Sequence, residues 1–357
     1  MVRQAAGRDD ELARRIQALV RDVLGAQAIR IAFLPAQLGM RRFARVTLEG
    51  GPVESLVARV DAPEDPAGRP PGISPEPPLE PLRALLEAQG LPVPACYGGN
   101  TEGHVLLLED VGTESLEVFA QTAAPDARRA LYAEACDLIP RLQRVSDAEG
   151  RVEAFRRRLD AAHFRYKADL FCTWSLAARG RAASAAERAC VETAFACIAR
   201  EMQQAPARLA HRDFQSANLY VRPARQASGR LVMIDLQGAL LAPPEYDLVC
   251  LLRDSYVDLP ENEIEAHAAR VRPALPDAPD RETFARRFDL LTLTRKGKDH
   301  ARFLYAAQER GDTRYLEHLP RTARQLRGAA TRCAAREPRF AALAELIHAL
   351  PESPCAE

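Results

Sequence analysis

The sequence from residue 209 reads Leu209-Ala-His-Arg-Asp-Phe-Gln-Ser-Ala-Asn-Leu-Tyr-Val221, and a second stretch, Leu231-Val-Met-Ile-Asp-Leu-Gln237, follows it. In both stretches apolar runs border polar residues, which is typical of short strands joined by a tight loop. We therefore expect Asp213, Asn218 and Asp235 to stand at strand ends or within the loop. Polar side chains in such positions can converge on one point.

The polar residues of this segment have an informative spacing. His-Arg-Asp with an asparagine five residues after the aspartate is the spacing of the catalytic loop of protein kinases. Phosphoryl transfer needs a carboxylate that orients the attacking hydroxyl and accepts its proton, and oxygen ligands that hold Mg²⁺ against the phosphates. This interpretation makes Asp213 the base and Asn218 and Asp235 the metal ligands, with Arg212 neutralising neighbouring charge. The alternative is that all are ordinary loop residues, but two motif segments in the kinase order favour catalysis.

The length and composition of the chain argue against several classes of protein. Its 357 residues are enough for one large two-lobed domain or two ordinary domains, and its formal net charge of zero favours neither a nucleic-acid partner nor an anionic membrane surface. No run is long and apolar enough to span a membrane, and the N-terminus lacks the apolar core of a signal peptide. The eight cysteines form no Cys-x-x-Cys pair, which indicates reduced thiols and no zinc site. We expect a cytoplasmic monomer.

The order of the predicted elements favours an α+β fold. Helical spacing over residues 11–24 precedes three short apolar runs separated by turn signals, which predict an antiparallel sheet. These runs cover residues 29–34, 43–48 and 55–60. The later part of the chain is mostly helical in its periodicity. We therefore predict a bilobal plan, with a small β-rich N-lobe over 1–112 (a sheet plus a helix) and a large helical C-lobe over 113–357 that carries the loop 209–221 and the strand end 231–237.

The N-lobe of a kinase binds the nucleotide phosphates. Its first turn covers them, and its third strand supplies a lysine. Here that turn spans Pro35–Arg42 with one glycine, and no lysine precedes Lys167. Arg59 lies on the predicted third strand, and arginine binds phosphate through two nitrogens at once. The alternative is that Arg59 is simply exposed at the surface, which depends on the strand register.

A second N-lobe segment is a candidate for nucleotide binding. The run His104–Gly112 is a predicted buried strand that leaves into a polar turn. In a bilobed kinase this is the hinge, where main-chain groups near Glu109, Asp110 and Val111 would contact adenine. The alternative is a plain core strand. The Pro- and Gly-rich segment 62–78 predicts an extended loop, for which we favour a linker over a ligand gate.

The motifs that surround the loop carry a family resemblance. They are His211-Arg-Asp-Phe-Gln-Ser216, Ile234-Asp-Leu-Gln237 and Pro244-Glu-Tyr-Asp-Leu-Val-Cys-Leu-Leu-Arg-Asp254. Together they resemble the aminoglycoside-phosphotransferase-like kinases, and within these the bacterial N-acetylmuramate/N-acetylglucosamine kinases. The likeness extends over about residues 10–325. It implies a protein-kinase-like fold and Mg²⁺-dependent transfer of phosphate from ATP to the anomeric hydroxyl of an amino sugar during cell-wall recycling, with ATP and the sugar as partners.

The resemblance also implies roles for individual residues of the loop and its support. Asp213 is the implied base, and Asn218 and Asp235 are the implied Mg²⁺ ligands. Asp247 would accept hydrogen bonds from main-chain amides of the loop. His211 would brace the loop by hydrogen bonding.

Four more residues belong to the implied site or its surroundings. Gln215 and Arg253 would line it. Gln237 stands where many kinases have the glycine of Asp-Phe-Gly, so no mobile activation loop is implied. Trp174 is the single tryptophan of the chain. It would either stack on a sugar ring or belong to the core, and aromatic residues at helical spacing favour the core.

The sequence departs from the family pattern at two positions. We expect glutamates there, but the chain has Lys167 and Thr173. A lysine would suit an anionic substrate group such as a lactyl carboxylate or a phosphate, yet we favour a solvated helix position for Lys167. The segment Arg295–Lys298 is also basic. We favour a solvated face for it over a substrate-facing cluster.

Two other functions stay open at this point. The chain could phosphorylate another small alcohol, such as an aminoglycoside or a choline-like or homoserine-like compound. Cationic substrates of that kind call for an acidic pocket, so the charge around Asp213 separates them from amino sugars. The chain could also be a nucleotide-binding pseudokinase. The missing N-lobe lysine favours that function, whereas the intact Asp213, Asn218 and Asp235 argue against it.

Overall fold

The computed structural model describes residues 2–35, 41–61, 69–100, 104–222 and 229–351. Three predicted features fall outside these ranges: residues 36–40 of the phosphate-covering turn, residues 62–68 of the predicted loop, and Cys355. No helix within the described ranges combines the length and apolarity that crossing a membrane requires.

The strands of the described ranges form one larger sheet and two two-stranded sheets. They are β1 (Gln27–Phe33), β2 (Arg42–Glu49), β3 (Ser55–Val60), β4 (Cys96–Asn100), β5 (Val105–Glu109), β6 (Arg208–Ala210), β7 (Leu219–Val221), β8 (Leu231–Met233) and β9 (Leu240–Ala242). The first five build an antiparallel sheet in the order β1-β2-β3-β5-β4. The last four pair as β6 with β9 and β7 with β8.

The burial pattern of β2 shows why the five-stranded sheet forms. Ala44, Val46 and Leu48 alternate with less buried residues, so the strand has one apolar face. That face shares a core with the N-terminal helix α1 (Val2–Leu24), which contributes Ile16. The antiparallel sheet expected from the sequence is therefore present.

Helices dominate the rest of the chain. They are α2 (Leu82–Ala88), α3 (Leu116–Thr122), α4 (Pro125–Gln143), α5 (Ala161–Leu170), α6 (Ala185–Gln204), α7 (Tyr246–Leu252), α8 (Glu261–Val271), α9 (Arg281–Arg310), α10 (Leu319–Arg336) and α11 (Ala341–His348). Asp280 caps the start of the long helix α9, because its side chain accepts from the main-chain N–H groups of Glu282 and Thr283, and Gly311, with φ 65°, caps its end. The α+β fold class predicted from the sequence is confirmed.

The chain divides into two compact units. The first comprises Met1–Gly68 and Val93–Thr113, and the second comprises Arg69–Pro92 and Glu114–Glu357. The predicted N-lobe ran without interruption to residue 112, so it included 69–92 and the helix α2. The structure instead groups this segment with the helical unit.

Hydrogen bonds explain the placement of residues 69–92. The Met233 N–H, on β8, donates to the carbonyl of Pro92 at 2.9 Å, and the Arg141 guanidinium donates to the carbonyl of Gly90 at 2.6 Å. These bonds satisfy main-chain groups that a free linker would leave to water. Sequence periodicity describes a helix but not the element on which it packs.

A π-helical turn, Phe171–Ser175, extends α5. Lys167 and Phe171 stand four residues apart and therefore share one face of this helix. A Cβ atom at Gly297 on α9 would lie 3.4 Å from a ring carbon of Phe171. Gly297 thus leaves room for α5 and α9 to approach closely between Lys296 and Lys298.

Candidate active site

The candidate site stands on the two two-stranded sheets of the helical unit. β6 leads into the polar loop, and a short 3-10 turn at Ser216–Asn218 joins the loop to β7. β7 pairs with β8, and the Ile234 N–H donates to the carbonyl of Asn218 at 3.0 Å. Asn218 and Asp235 therefore stand at neighbouring ends of two paired strands. Asp235 has φ 61° and ψ 43°, a left-handed conformation that aspartate adopts more readily than most residues.

Asp247 holds the first half of the loop. Its carboxylate accepts hydrogen bonds from the main-chain N–H groups of His211 at 2.7 Å and Arg212 at 3.1 Å. Arg212 has φ 76°, so this carboxylate fixes a strained residue directly before Asp213. Burial raises the pKa of Asp247 to about 6, against the lowering effect of His211 and of the two amide hydrogen bonds.

Asp254 holds the second half in the same way. It accepts from the main-chain N–H and the hydroxyl of Ser216 at 2.7 Å and 2.5 Å, and from the Tyr256 N–H at 3.1 Å. No role was predicted for Asp254 from the sequence. Asp254 lies just beyond the end of α7 at Leu252, and its place at the end of the motif Pro244–Asp254 is the signal that would have identified it.

His211 connects the loop to the strand that carries Asp235. Its Nε2–H donates to the carbonyl of Ile234 at 2.8 Å, and its ring meets the edge of Phe214 with 5.7 Å between centroids. The ring is buried. The geometry gives His211 a bracing contact and does not point its Nε2 at a reacting group.

Arg295 binds the Asp213 carboxylate. Its Nη1 donates to Asp213 Oδ1 at 2.8 Å and to the Arg212 carbonyl at 3.0 Å, and its Nη2 donates to Gln215 Oε1 at 3.2 Å. Only 3 % of the Arg295 side chain is exposed, whereas 31 % of the Asp213 side chain is. One guanidinium from α9 thus fixes three loop residues and leaves Asp213 accessible.

The charges around Asp213 set its ionisation. Burial alone raises the pKa of this carboxyl, but attraction to Arg295, Lys298 and Arg212 outweighs burial and holds the pKa far below its usual range. Asp213 is therefore ionised at any physiological pH. A carboxylate of such low basicity orients a hydroxyl better than it removes a proton before reaction.

The basic segment Arg295–Lys298 does not form a solvated face, and that expectation was wrong. Lys296 is buried and binds Ser255 Oγ at 2.7 Å and Asp299 Oδ2 at 2.8 Å. Lys298 Nζ lies 3.4 Å from Asp299 Oδ1. The segment is thus a largely buried charge cluster, in which Asp299 offsets part of the positive charge.

Lys167 is also buried, contrary to the solvated position we favoured. Its exposed fraction is 4 %, and its Nζ has no hydrogen-bond partner among the residues that the structure describes. The ammonium lies 5.0 Å from the ring centroid of Phe164 and 5.2 Å from that of Tyr246. Burial, together with repulsion from Lys298 and Arg295, lowers the pKa of Lys167 to about 7.

The oxygen atoms near the paired strand ends suit Mg²⁺. The Asn218 amide donates from Nδ2 to the Asp213 carbonyl at 2.9 Å. The Oδ1 atom of Asn218 therefore points away from that carbonyl and can serve as a metal ligand. Asp235 Oδ1 accepts from Gln237 Nε2 at 2.6 Å. One carboxylate and one amide oxygen are a donor set that Mg²⁺ accepts when phosphates complete its coordination. Within the described ranges, no three His, Cys, Asp or Glu side chains cluster as a metal site.

Two residues named for the site point elsewhere within the helical unit. Both terminal nitrogens of Arg253 lie 2.5 Å from the carboxylate of Glu261, and its guanidinium lies over the ring of Phe288. Arg253 therefore faces α8, which corrects its assignment to the site lining. Trp174 packs edge-on against Tyr305 at 5.2 Å between centroids, in the core position that we favoured.

The residues named for nucleotide binding lie in the first unit. Arg59 is 3 % exposed and donates to Asp61 Oδ1 at 2.9 Å, so the alternative of a surface arginine is wrong. The Asp110 carboxylate accepts two hydrogen bonds from the Arg45 guanidinium, at 2.7 Å and 3.1 Å. The next residue, Val111, is partly buried and belongs to no helix or strand. The proposed hinge thus begins with a fixed carboxylate.

Glu109, the last residue of β5, is fixed at both its main chain and its side chain. Its main-chain N–H donates to the Ala95 carbonyl at 2.8 Å, and its Oε2 accepts from the Ala95 N–H at 3.1 Å. The Glu109 N–H is therefore committed to the sheet edge. Adenine contact at this residue would have to use its carbonyl oxygen.

Comparison with known proteins matches residues 32–287 to a family model described as the phosphotransferase enzyme family. An N-acetylmuramate/N-acetylglucosamine kinase of Pseudomonas aeruginosa is 29 % identical over 288 residues, which cover 77 % of this chain and 78 % of the relative. A kinase of the same name from Neisseria meningitidis is 27 % identical over 328 residues, which cover 89 % and 90 %. The resemblance stated from the sequence motifs is confirmed.

Solved structures share the fold. A choline kinase, LicA from Streptococcus pneumoniae, superposes with a TM-score of 0.61 at 13 % identity over 90 % of this chain and 99 % of that one. The ADP-bound aminoglycoside phosphotransferase APH(2'')-Ib gives 0.52 at 14 % identity over 88 % and 99 %. The kinase-like fold predicted from the sequence is thereby confirmed.

Proposed function

Because the chain belongs to the phosphotransferase enzyme family, we propose that it is an ATP-dependent kinase of an amino sugar. The acceptor is N-acetylmuramate or N-acetylglucosamine, and the reacting group is the anomeric hydroxyl. The names of relatives that are 27–29 % identical over most of the chain support this acceptor class. The proposal includes a monomer in the cytoplasm that returns cell-wall sugars to metabolism.

One observation carries the proposal: the ion pair that fixes Asp213 in a loop whose neighbours are Asn218 and Asp235. Arg295 occupies Oδ1 of Asp213, so the second oxygen, Oδ2, would accept the hydrogen bond from the sugar hydroxyl. Because the pKa of Asp213 is held low, the hydroxyl proton would reach the carboxylate only as the bond from oxygen to phosphorus forms. The main contribution of Asp213 is orientation of the nucleophile.

Asn218 and Asp235 would hold Mg²⁺ with the nucleotide phosphates. The ion supplies charge neutralisation on the transferred phosphoryl group and on the leaving diphosphate. Gln237 donates to Asp235 and keeps one carboxylate oxygen in a fixed direction. Arg59 and the main chain near Glu109, Asp110 and Val111 stay our candidates for contacts with the nucleotide.

The charge near Asp213 distinguishes the proposal from its alternatives. Cationic acceptors, such as aminoglycosides and choline-like compounds, require acidic side chains close by. The charges that act most strongly on the Asp213 carboxyl are all positive: Arg295, Lys298 and Arg212. A pseudokinase is disfavoured because Asp213, Asn218 and Asp235 are all present and their side chains are positioned by hydrogen bonds.

The decisive experiment measures Mg²⁺-dependent consumption of ATP by the purified protein with a panel of acceptors. The panel contains N-acetylmuramate, N-acetylglucosamine, their 1-O-methyl glycosides, choline, homoserine and kanamycin. We expect turnover with at least one free sugar and none with its methyl glycoside, in which the anomeric hydroxyl is blocked. Turnover only with a cationic acceptor would instead identify the chain as a kinase of a cationic small alcohol. Nucleotide binding without turnover of any acceptor would support the pseudokinase.

A further inference from the structure

Lysine is rare in this chain, and its few lysines lie near each other. Arginine and lysine together number 49, but only Lys167, Lys296 and Lys298 are lysines. The last two stand on α9, and the first stands on α5, where Lys298 and Arg295 of α9 repel its ammonium. An ammonium is a compact charge whose pKa responds to burial, whereas a guanidinium stays ionised. Three lysines in one cluster of an arginine-rich chain indicate that this cluster needs the properties of lysine.

The contacts of the three ammonium groups differ. Lys296 is satisfied by Ser255 and Asp299. Lys298 lies 3.4 Å from Asp299 and is only partly buried. Only 4 % of Lys167 is exposed, and no described residue accepts a hydrogen bond from its Nζ. A buried cation without a hydrogen-bond acceptor is costly, so an acceptor supplied by a ligand would relieve it.

The ion pairs among the neighbouring charged groups also leave the charge of Lys167 uncompensated. Arg212 pairs with Glu76 at 3.0 Å, and Arg295 pairs with Asp213. Asp299 is shared by Arg295, Lys296 and Lys298. The positive charge of Lys167 stays uncompensated by these pairs, and that of Lys298 is compensated only in part. Repulsion from Lys298 also lowers the pKa of Lys167.

A chain of contacts connects Lys167 to the candidate active site. Its Nζ lies 5.2 Å from the ring of Tyr246, which directly precedes Asp247 on α7. Asp247 in turn holds the N–H group of Arg212, the residue before Asp213. The ammonium of Lys167 therefore belongs to the surroundings of the Asp213 carboxylate and not to a separate site.

We propose that Lys167 and Lys298 form an anion-binding subsite beside Asp213 that receives an acidic substituent of the acceptor. This inference rests on the proposed function, because it names the substrate class of the same site. The ligand chemistry is a carboxylate or phosphate carried by the sugar. N-Acetylmuramate has a carboxylate on its lactyl ether, and N-acetylglucosamine has none. The enzyme is thus selective for an acidic amino sugar.

The two rings beside Lys167 fit this role. Phe164 and Tyr246 lie 5.0 Å and 5.2 Å from Nζ and hold the ammonium without satisfying its hydrogen-bonding capacity. No described residue accepts a hydrogen bond from the ammonium, so its N–H groups are available to a ligand that reaches them. A single pair of charged groups in such surroundings accounts for roughly 10- to 10²-fold in affinity.

The test compares wild type, Lys167→Met and Arg165→Met with matched acceptors. Arg165 is an exposed cation on the same helix and serves as the control for charge removal at α5. The acceptors are N-acetylmuramate, its neutral lactyl amide, N-acetylglucosamine and N-acetylglucosamine 6-phosphate. The lactyl amide has nearly the shape of the acid without its charge, and the phosphate arm distinguishes the two possible sources of the anion.

We expect wild type to favour one of the two acids over its neutral counterpart by roughly 10-fold or more in kcat/KM. Lys167→Met should lower kcat/KM for that acid by about 10- to 10²-fold and leave the neutral acceptors within about threefold. Arg165→Met should behave as wild type. Equal losses for acid and neutral acceptors in Lys167→Met, or a wild-type preference for the neutral sugars, would overturn the subsite.

A binding measurement separates this proposal from the proposed function. Calorimetry of N-acetylmuramate and its lactyl amide against the nucleotide-free protein requires no turnover. Tighter binding of the acid, abolished in Lys167→Met, supports the subsite even if no acceptor is phosphorylated. Equal binding of acid and amide by wild type overturns the subsite even if the protein is an active sugar kinase.

Discussion

The guanidinium of Arg295 and the carboxylate of Asp213 form an ion pair of 2.8 Å across 82 residues of sequence. Arg295 is almost entirely buried, so this pair is screened less by solvent than a surface ion pair would be. Its consequence is chemical as well as structural. It fixes the direction of the carboxylate and determines at which pH that carboxylate loses its proton.

Replacement of Arg295 should change the pH dependence of turnover. In wild type, Arg295 keeps the pKa of Asp213 far below its usual range. In Arg295→Met, burial is no longer outweighed by this cation, so the pKa of Asp213 rises. Because the mechanism we propose requires an ionised Asp213, the acid limb of kcat against pH should move to higher pH. Measurement of kcat from pH 5 to 9 checks this expectation.

The control for that variant is Arg281→Met, an exposed position at the start of the same helix. Arg295→Lys keeps the charge without the planar fork and should give an intermediate profile. A pH profile of Arg295→Met that coincides with wild type, in protein shown to be folded by circular dichroism, would contradict the assigned role.

The carboxylate itself should be indispensable for rate and not for binding of the sugar. Asp213→Asn preserves the shape of the side chain but cannot accept the hydroxyl proton. We expect kcat to fall by roughly 10²-fold or more with KM for the sugar changed little. Asp169→Asn, an exposed residue on α5, is the matched control. If Asp213→Asn retained more than half of the wild-type kcat, Asp213 would not be the residue that orients the nucleophile.

Short-range sequence patterns predicted the loop well. Asp213, Asn218 and Asp235 lie where their spacing placed them, because a strand that runs into a tight turn dictates where its next residues point. Asp247 accepts two loop amides, as the family resemblance implied. Local geometry determines these positions, so local sequence is sufficient to predict them.

The predictions from the sequence were wrong where the burial or contacts of a charged side chain depend on residues distant in the chain. Lys167 and Arg295 were both assigned to solvent, because charged residues on helices are mostly exposed. Their burial depends on the approach of α5, α7 and α9, which no spacing within one helix reveals. Arg253 failed for the same reason, since Glu261 on the following helix turns it away from the loop.

Removal of Asp247 should destabilise the loop and the fold together. Asp247→Ala leaves the buried N–H groups of His211 and Arg212 without acceptors, at a cost of about 1–3 kcal/mol for each group. Asp247→Asn retains one acceptor oxygen and should lose less. Thermal unfolding of both variants beside wild type measures the difference. Identical melting temperatures for Asp247→Ala and wild type would show that water or another residue satisfies these amides.

Lys167 should lower the stability of the free enzyme in a pH-dependent manner. Its pKa is about 7 in the folded chain, below the ordinary lysine value. Between these two values the unfolded chain binds the proton and the folded chain does not, so folding stability rises as pH increases through this window. Lysine at 167 therefore costs most stability below pH 7. The cations Lys298, Arg295 and Arg212 face it and add to this cost.

Lys167→Met tests this linkage. The variant should melt a few degrees higher than wild type at pH 6, and the difference should shrink as pH approaches 10. Differential scanning fluorimetry across that range provides the measurement, with Arg165→Met as the control. A lower melting temperature of Lys167→Met at pH 6 would mean that the ammonium is satisfied in the free protein, against the unpartnered Nζ described above.

The paired strand ends should determine the Mg²⁺ requirement. Asp235→Asn removes the single formal charge of the proposed ligand pair, so we expect a half-saturating Mg²⁺ concentration at least about 10-fold higher and a large loss of kcat at saturating ATP. Asn218→Ala removes the neutral ligand and should raise the Mg²⁺ requirement less. Gln237→Ala removes only the hydrogen bond to Asp235 and should have the smallest effect of the three.

The rank order of these variants separates metal ligation from a structural role. Rates are measured against free Mg²⁺ at fixed ATP, and the affinity for ATP is measured with and without Mg²⁺. If the three residues only stabilised the hairpin of β7 and β8, all three variants would have a lower melting temperature. Their affinity for ATP would then be reduced equally with and without Mg²⁺. Ligation instead predicts that the Mg²⁺-dependent part of ATP affinity is reduced while the metal-free part is retained. Asp235→Asn with an unchanged Mg²⁺ titration would exclude this residue as a ligand.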